Sequence, residues 1–173
     1  MTTSTEKRHT VLSLGSNLGD RLDNLQEAID TLFDAPGLDF IALSPVYETK
    51  PVGGPEQGDF LNVVIVANSR VAPESLLERV LAIEDAMDRT REVRWGPRTL
   101  DIDIVMMGDV TSDDPDLLLP HPRAGERAFV LRPWCDLDPE ATLPGRGRLS
   151  DLLPSVADQE LRRRDDLSLQ PPA

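Results

Sequence analysis

Residues 89–105 read RTREVRWGPRTLDIDIV, and the second half of this stretch is the clearest strand in the chain. From Thr99 to Val105 the side chains alternate, so Asp101, Asp103 and Val105 share one face while Leu100, Ile102 and Ile104 share the other. The two carboxylates then project together, roughly 6.5 Å apart at Cα from the strand rise. Hard divalent cations such as Mg²⁺ accept oxygen ligands and keep waters and phosphates in their shell, so two aspartates are enough protein ligand. Just upstream, Arg89, Arg91, Arg94 and Arg98 are planar donors suited to polyphosphate oxygens, with Gly96-Pro97 turning the chain into the strand. The whole stretch reads as a metal and phosphate site. The alternating aspartates also fit the solvated face of an amphipathic sheet, and the arginines a solvated loop.

Working outward, residues 10–14 form a short strand that runs into a turn at Gly15-Ser16-Asn17-Leu18-Gly19-Asp20, with Asp20 placed to cap a helix. Leu22, Leu25, Ile29, Leu32 and Phe33 then recur at helical spacing until Pro36-Gly37. Residues 38–47 read as a second strand, with Pro45 limiting it to an edge or a bulge. Residues 48–59 hold two prolines and three glycines and read as a long loop, of a length that is often functional. A strand over 60–68 follows, with Phe60, Asn62, Val64 and Val66 on one face. An aromatic ring beside an amide can grip a flat heterocycle, although a Phe on a strand is far more often core and an Asn can simply satisfy nearby backbone.

Pro73 opens a second amphipathic helix with Leu76, Leu77, Val80, Ile83 and Met87 inward, and Glu84 near the end of that stripe. The aspartate strand comes next. Beyond it lie an acidic excursion over 108–116, a short apolar return at 117–119 and Pro120-His121-Pro122, whose histidine chain order could return to the aspartates. One or two helical turns over 126–132, carrying Arg127 and Phe129, stop at Pro133. The order β-α-β-β-α-β predicts one α+β domain over residues 1–173, a ferredoxin-like core of antiparallel sheet with helices packed on it. Residues 1–9 and about 158–173 are polar enough to be loose termini.

Lys+Arg 18 against Asp+Glu 31 gives a net charge of −13, which disfavours nucleic acid or an anionic membrane as partner. The one cysteine, Cys135, has no partner for a disulfide, and no apolar run approaches a membrane span or a secretory core. A cytoplasmic monomer is the expectation. Neither G-x-x-x-x-G-K-[ST] nor a helix-opening G-x-G-x-x-G occurs, so an ATP site here is built another way.

The residues carry a resemblance over roughly 10–154. Its motifs are Gly15-Ser16-Asn17, Thr49-x-Pro51-x-Gly53, Phe60-Leu61-Asn62, Ile83-Glu84, Arg89-x-Arg91, RWGPRTLDID over 94–103, Pro120-His121-Pro122-Arg123 and Arg127-Ala128-Phe129. Together they resemble the 6-hydroxymethyl-7,8-dihydropterin pyrophosphokinases of the folate pathway. The resemblance implies transfer of pyrophosphate from ATP to a pterin alcohol with release of AMP. Two Mg²⁺ ions would sit on Asp101 and Asp103, and Arg89 and Arg91 would join them as catalytic residues. It places ATP on Glu84, Arg89, Arg91, Trp95, Arg98, Ile104, His121 and Arg127. The pterin falls to Thr49, Lys50, Val52, Phe60, Asn62, Trp95 and Phe129, with the two Phe rings on either side. Leu81, Asp116 and Leu118 depart from the family pattern on the nucleotide side. A non-catalytic nucleotide- or metal-binding ferredoxin-like module is the alternative.

Overall fold

The computed structural model describes residues 7–51, 58–87 and 99–172. Strand β1 (Arg8–Ser16) is central, paired antiparallel on one side with β4 (Phe60–Ser69) and on the other with β5 (Asp101–Met107). Between β1 and β4 the chain forms α1 (Arg21–Asp34), β2 (Leu38–Leu43) and β3 (Tyr47–Thr49), and α2 (Pro73–Met87) crosses from β4 to β5. Both β2 and β3 pair with β4, so the order across the core is β2/β3, β4, β1, β5. This is the ferredoxin-like arrangement, with α1 and α2 on one face of an antiparallel sheet.

Several boundaries differ from the sequence reading. Strand β1 begins at Arg8, inside the segment expected to be loose, because Arg8 and His9 pair with Ser69 and Asn68, and β5 spans Asp101–Met107 rather than 99–105. Gly15 and Ser16 belong to β1 rather than to the turn, because they pair with Asn62 and Leu61 of β4. Asp20 does cap α1, accepting the Asp23 N–H at 3.2 Å. The strand expected over 38–47 is two strands: at Ser44 the backbone N–H donates to the Val64 carbonyl and the hydroxyl accepts from the Val64 N–H, both at 2.9 Å, and Pro45 has no donor to continue the ladder. Pro133 does not end a helix. A 3-10 turn at Ala124–Glu126 leads into α3 (Ala128–Leu137), which runs through Pro133 because Val130, Leu131 and Trp134 are buried on either side of it.

Each face of the sheet has its own core. On one, Leu12, Leu14, Leu61, Val63 and Ile65 pack against Leu25, Ile29 and Leu32 of α1 and Leu76, Val80 and Ile83 of α2. On the other, Val11, Val64, Val66, Val105 and Met106 pack against Val130, Leu131 and Trp134 of α3. That second core covers only half of its face. Register explains why: Val11 lies level with Val66 and Met106, whereas Ser13 lies level with Asp103, and Gly15 with both Asn62 and Asp101. On β1 and β5 this face changes from aliphatic to polar at Ser13 and Asp103, and on β4 one pair further along, from Val64, level with Ser13, to Asn62. The polar half stays open.

The remaining elements are small. The hairpin β6 (Ser112–Asp114) and β7 (Leu117–Leu119) returns the chain to β5, and β8 (Thr142–Leu143), β9 (Gly147–Arg148) and α4 (Leu149–Leu152) close the second core. The segment expected to be loose from about 158 instead adds β10 (Leu161–Arg163), antiparallel to β3. Its anchor is Glu48 on β3, 7% exposed, which takes ion pairs from Arg21 at 2.6 Å, Arg164 at 2.9 Å and Arg162. The reading missed this because the partners lie 114 and 116 residues from Glu48. No helix among the described residues is long and apolar enough to cross a membrane.

Burial pushes the Glu48 carboxyl up, but hydrogen bonds from Arg21, Arg162 and Arg164 outweigh it and hold the group below its ordinary 4.5. A depressed folded pKa means that this stabilisation is complete above 4.5 and is lost as pH falls through the folded value. Glu48→Gln is therefore expected to lower stability at pH 7 by about 2 kcal/mol, the scale of a broken buried pair whose Arg162 head still reaches water. Urea unfolding of both proteins from pH 7 to pH 3 checks this, and the difference between them should shrink below 4.5.

Candidate active site

The open half of the sheet face borders two cavities that meet at β5. A cavity of about 430 Å³ is lined by Glu84, Ile104, His121 and Arg127. A second of about 580 Å³ is lined by Thr49, Lys50, Phe60, Asn62 and Phe129. Asp101, Asp103, Arg123 and Arg127 line both. Val52, Arg89, Arg91, Trp95 and Arg98, also singled out in the sequence, lie outside the described residues.

The first cavity is built on the free side of β5. Glu84, from α2, accepts the Ile102 backbone N–H at 2.7 Å, so the amide of Ile102 points away from β1. Strand alternation turns Ile104 to the same outer edge, facing the cavity. A bulge interrupts the β1–β5 register after Ile104, leaving Val105 unpaired. The Val105 carbonyl instead accepts the His121 N–H at 2.8 Å. The imidazole is thereby set beside the aspartates: Nδ1 accepts from the Arg123 N–H at 3.2 Å, so the proton is on Nε2, which lies 3.7 Å from Asp103 Oδ1. Leu81 and Leu118, both exposed, and Asp116 line this cavity too.

In the second cavity Gly15 forms the floor. A Cβ at that position would lie 2.9 Å from Asn62 Oδ1 and 3.3 Å from Phe60 Cδ1, so the absence of a side chain is what lets both groups sit over β1. Asn62 is 3% exposed and donates from Nδ2 to Thr49 Oγ1 at 2.7 Å, which fixes the orientation of its amide. Lys50, at the rim, pairs with Glu160 at 2.9 Å, and that hydrogen bond raises its pKa.

Arg127 joins the two cavities. Its Nη1 lies 3.3 Å from Asp103 Oδ2 and its guanidinium 5.5 Å from the centre of the Phe129 ring. The donor set fits a hard cation. Asp101 and Asp103 offer oxygen, are only partly buried and stand on one strand face. Mg²⁺ usually completes its shell with water and substrate phosphate, so one or two such carboxylates are enough protein ligand.

Residues 11–139 match the model of the 7,8-dihydro-6-hydroxymethylpterin-pyrophosphokinase (HPPK) family. A 2-amino-4-hydroxy-6-hydroxymethyldihydropteridine pyrophosphokinase of Mycobacterium tuberculosis is 43% identical, over 94% of this chain and 90% of its own. One of Pseudomonas aeruginosa is 39% identical, over 88% of this chain and 94% of its own.

The chain belongs to the HPPK family.

It is accordingly a pyrophosphokinase, an ATP-dependent transferase of a diphosphate group in folate biosynthesis, and kinases of this kind generally need Mg²⁺. The non-catalytic alternative is not favoured. Solved structures agree on the fold. A Plasmodium falciparum HPPK-DHPS triple mutant with pteroate superposes with a TM-score of 0.67 at 16% identity, over 91% of this chain and 47% of that one. An HPPK-DHPS in complex with substrates gives 0.69 at 14%, over 87% and 43%. The chain thus spans under half the length of these two.

Among the polar lining residues, Ser13, Arg123, Glu126 and Gln159 received no role from the sequence. Arg123 faces both cavities, Ser13 and Gln159 face the second. Arg123 stood inside a quoted motif, so its signal was available. Gln159, in a polar tail, offered none.

Proposed function

We propose that this HPPK seats ATP in the cavity along β5 and 6-hydroxymethyl-7,8-dihydropterin in the cavity over Gly15, and joins them at Asp101 and Asp103. One observation carries the reading: the same two carboxylates line both cavities. The pterin hydroxyl oxygen bonds to the β-phosphorus, the bond from that phosphorus to the oxygen shared with the α-phosphorus breaks, and AMP leaves with that oxygen. The hydroxyl proton passes to solvent.

Two Mg²⁺ ions on Asp101 and Asp103 would supply neutralisation of phosphate charge and a more acidic hydroxyl. The outward edge of β5 at Ile104 offers backbone donor and acceptor groups to the adenine, with Glu84 holding the strand. His121 Nε2–H and the Arg127 guanidinium, both beside Asp103, are placed to donate to phosphate oxygens at the seam. Arg89, Arg91 and Arg98 fall within the family match and are assigned to the same phosphates, with Trp95 contacting both substrates. Phe60 and Phe129 stack on the pterin, and Asn62 with Thr49, Lys50 and Val52 reads its edge. Holding two reactants at one seam is most of what phosphoryl-group transfer asks of a protein.

The test is AMP release from Mg²⁺-ATP by the purified chain, with and without the pterin and with and without EDTA. AMP is expected only with pterin and metal together. Bound ATP that yields no AMP when pterin is added would favour the binding-module reading.

A further inference from the structure

Residues 158–163 lie beyond the stretch that the family model matches, yet Gln159 lines the larger cavity and, with Asp158 and Glu160, a further cavity of about 520 Å³ beside it. Both cavities take Thr49, Lys50 and Pro51 from one wall and Phe129, at the start of α3, from the other. The Gln159 side chain makes both of its bonds to the second wall. Its Oε1 accepts the Ala128 N–H at 2.9 Å and its Nε2 donates to the Glu126 carbonyl at 2.8 Å. These two peptide groups flank Arg127. Helix α3 takes no side-chain cap from its own N-cap residue, Arg127, so Gln159 supplies the missing acceptor from 31 residues further along. The Arg127 side chain is then left to reach Asp103 and to cover Phe129. The next residue, Glu160, pairs with Lys50 on the first wall at 2.9 Å, and β10 continues the tie by pairing Leu161 with Thr49 and Arg163 with Tyr47.

We propose that Gln159 is a positioning residue for the diphosphate transfer. It holds the backbone on both sides of Arg127 and so sets Arg127 and Phe129 at the border of the cavities, while Glu160 and β10 tie it to the Thr49 wall. The inference rests on the larger cavity being the pterin site. Gln159 touches no reacting atom in this scheme and acts through Arg127 and Phe129.

The test uses Gln159→Ala and Gln159→Glu in the full chain. Gln159→Ala is expected to raise the exchange rate of the Ala128 amide and the KM for pterin by roughly tenfold each, the scale of one or two hydrogen bonds. The KM for ATP should rise less, by roughly threefold, and kcat should fall with it, since of the two groups that Gln159 sets only Arg127 lines the ATP cavity. Gln159→Glu keeps an acceptor for Ala128 but sets a second acceptor against the Glu126 carbonyl, so the exchange rate and KM should fall between the two. Unchanged Ala128 exchange, or an unchanged pterin KM, overturns the proposal. So does a general loss in which both KM values and the melting temperature move together. An unaltered chain that releases no AMP overturns the cavity reading itself, whereas an active one with an indifferent Gln159→Ala overturns only the positioning role.

Discussion

Asp103→Asn is expected to lower kcat by about three orders of magnitude, several kcal/mol of lost charge stabilisation, with the melting temperature hardly moved. Asp103 lies at the meeting of the two cavities, beside Arg127 at 3.3 Å and His121 at 3.7 Å. Asparagine matches its shape and keeps one oxygen for hydrogen bonding, but it removes the charge that a divalent cation needs. The side chain is 30% exposed, so its contribution to packing is small and a loss of activity should not come from unfolding. Single-turnover AMP release, measured beside a thermal melt, checks both parts. A kcat within roughly tenfold of the unaltered enzyme would remove Asp103 from the metal site, because one well-placed electrostatic group alone is worth more than that.

Gly15→Ala should act through the other substrate. The added methyl would meet Asn62 Oδ1 at 2.9 Å and the Phe60 ring at 3.3 Å. Asn62 has little room to give, since it is 3% exposed and its Nδ2 is held by Thr49 at 2.7 Å. Overpacking of this kind costs about 1–3 kcal/mol, and here it displaces the two groups assigned to grip the pterin. The expected result is a rise of about ten- to a hundredfold in pterin KM, with a much smaller change for ATP. Gly15 lies level with Asp101 on β5, so kcat should fall as well. Pterin binding unchanged by the methyl would mean that the ring does not sit over β1, and the second cavity would need another occupant.

Other positions show how far single residues could be read. The alternation at 101–105 required only a strand period, and β5 duly presents two half-buried aspartates above buried Leu100, Ile102 and Ile104. Helices α1 and α2 were legible for the same reason: a stripe at 3.6-residue spacing and a cap at Asp20 are local facts. Pro45 correctly signalled trouble in its strand, but which groups would replace the missing donor depended on Val64 across the sheet. Pro133 misled, because buried neighbours on both sides carried α3 past it. The tail misled more, because the group that orders it, Glu48, lies more than a hundred residues away in sequence.

By itself, the sequence determined the periods of the elements, the α+β class and the residue types at the site, since these depend on side-chain spacing and chemistry along a few consecutive residues. Tertiary structure alone decided that Ser13, Asn62 and Asp103 meet on one open patch, that a bulge at Val105 brings His121 to Asp103, and that Gln159 holds the backbone around Arg127. Each of these depends on strand register or on a hydrogen bond between distant segments, and no local pattern encodes such a pairing.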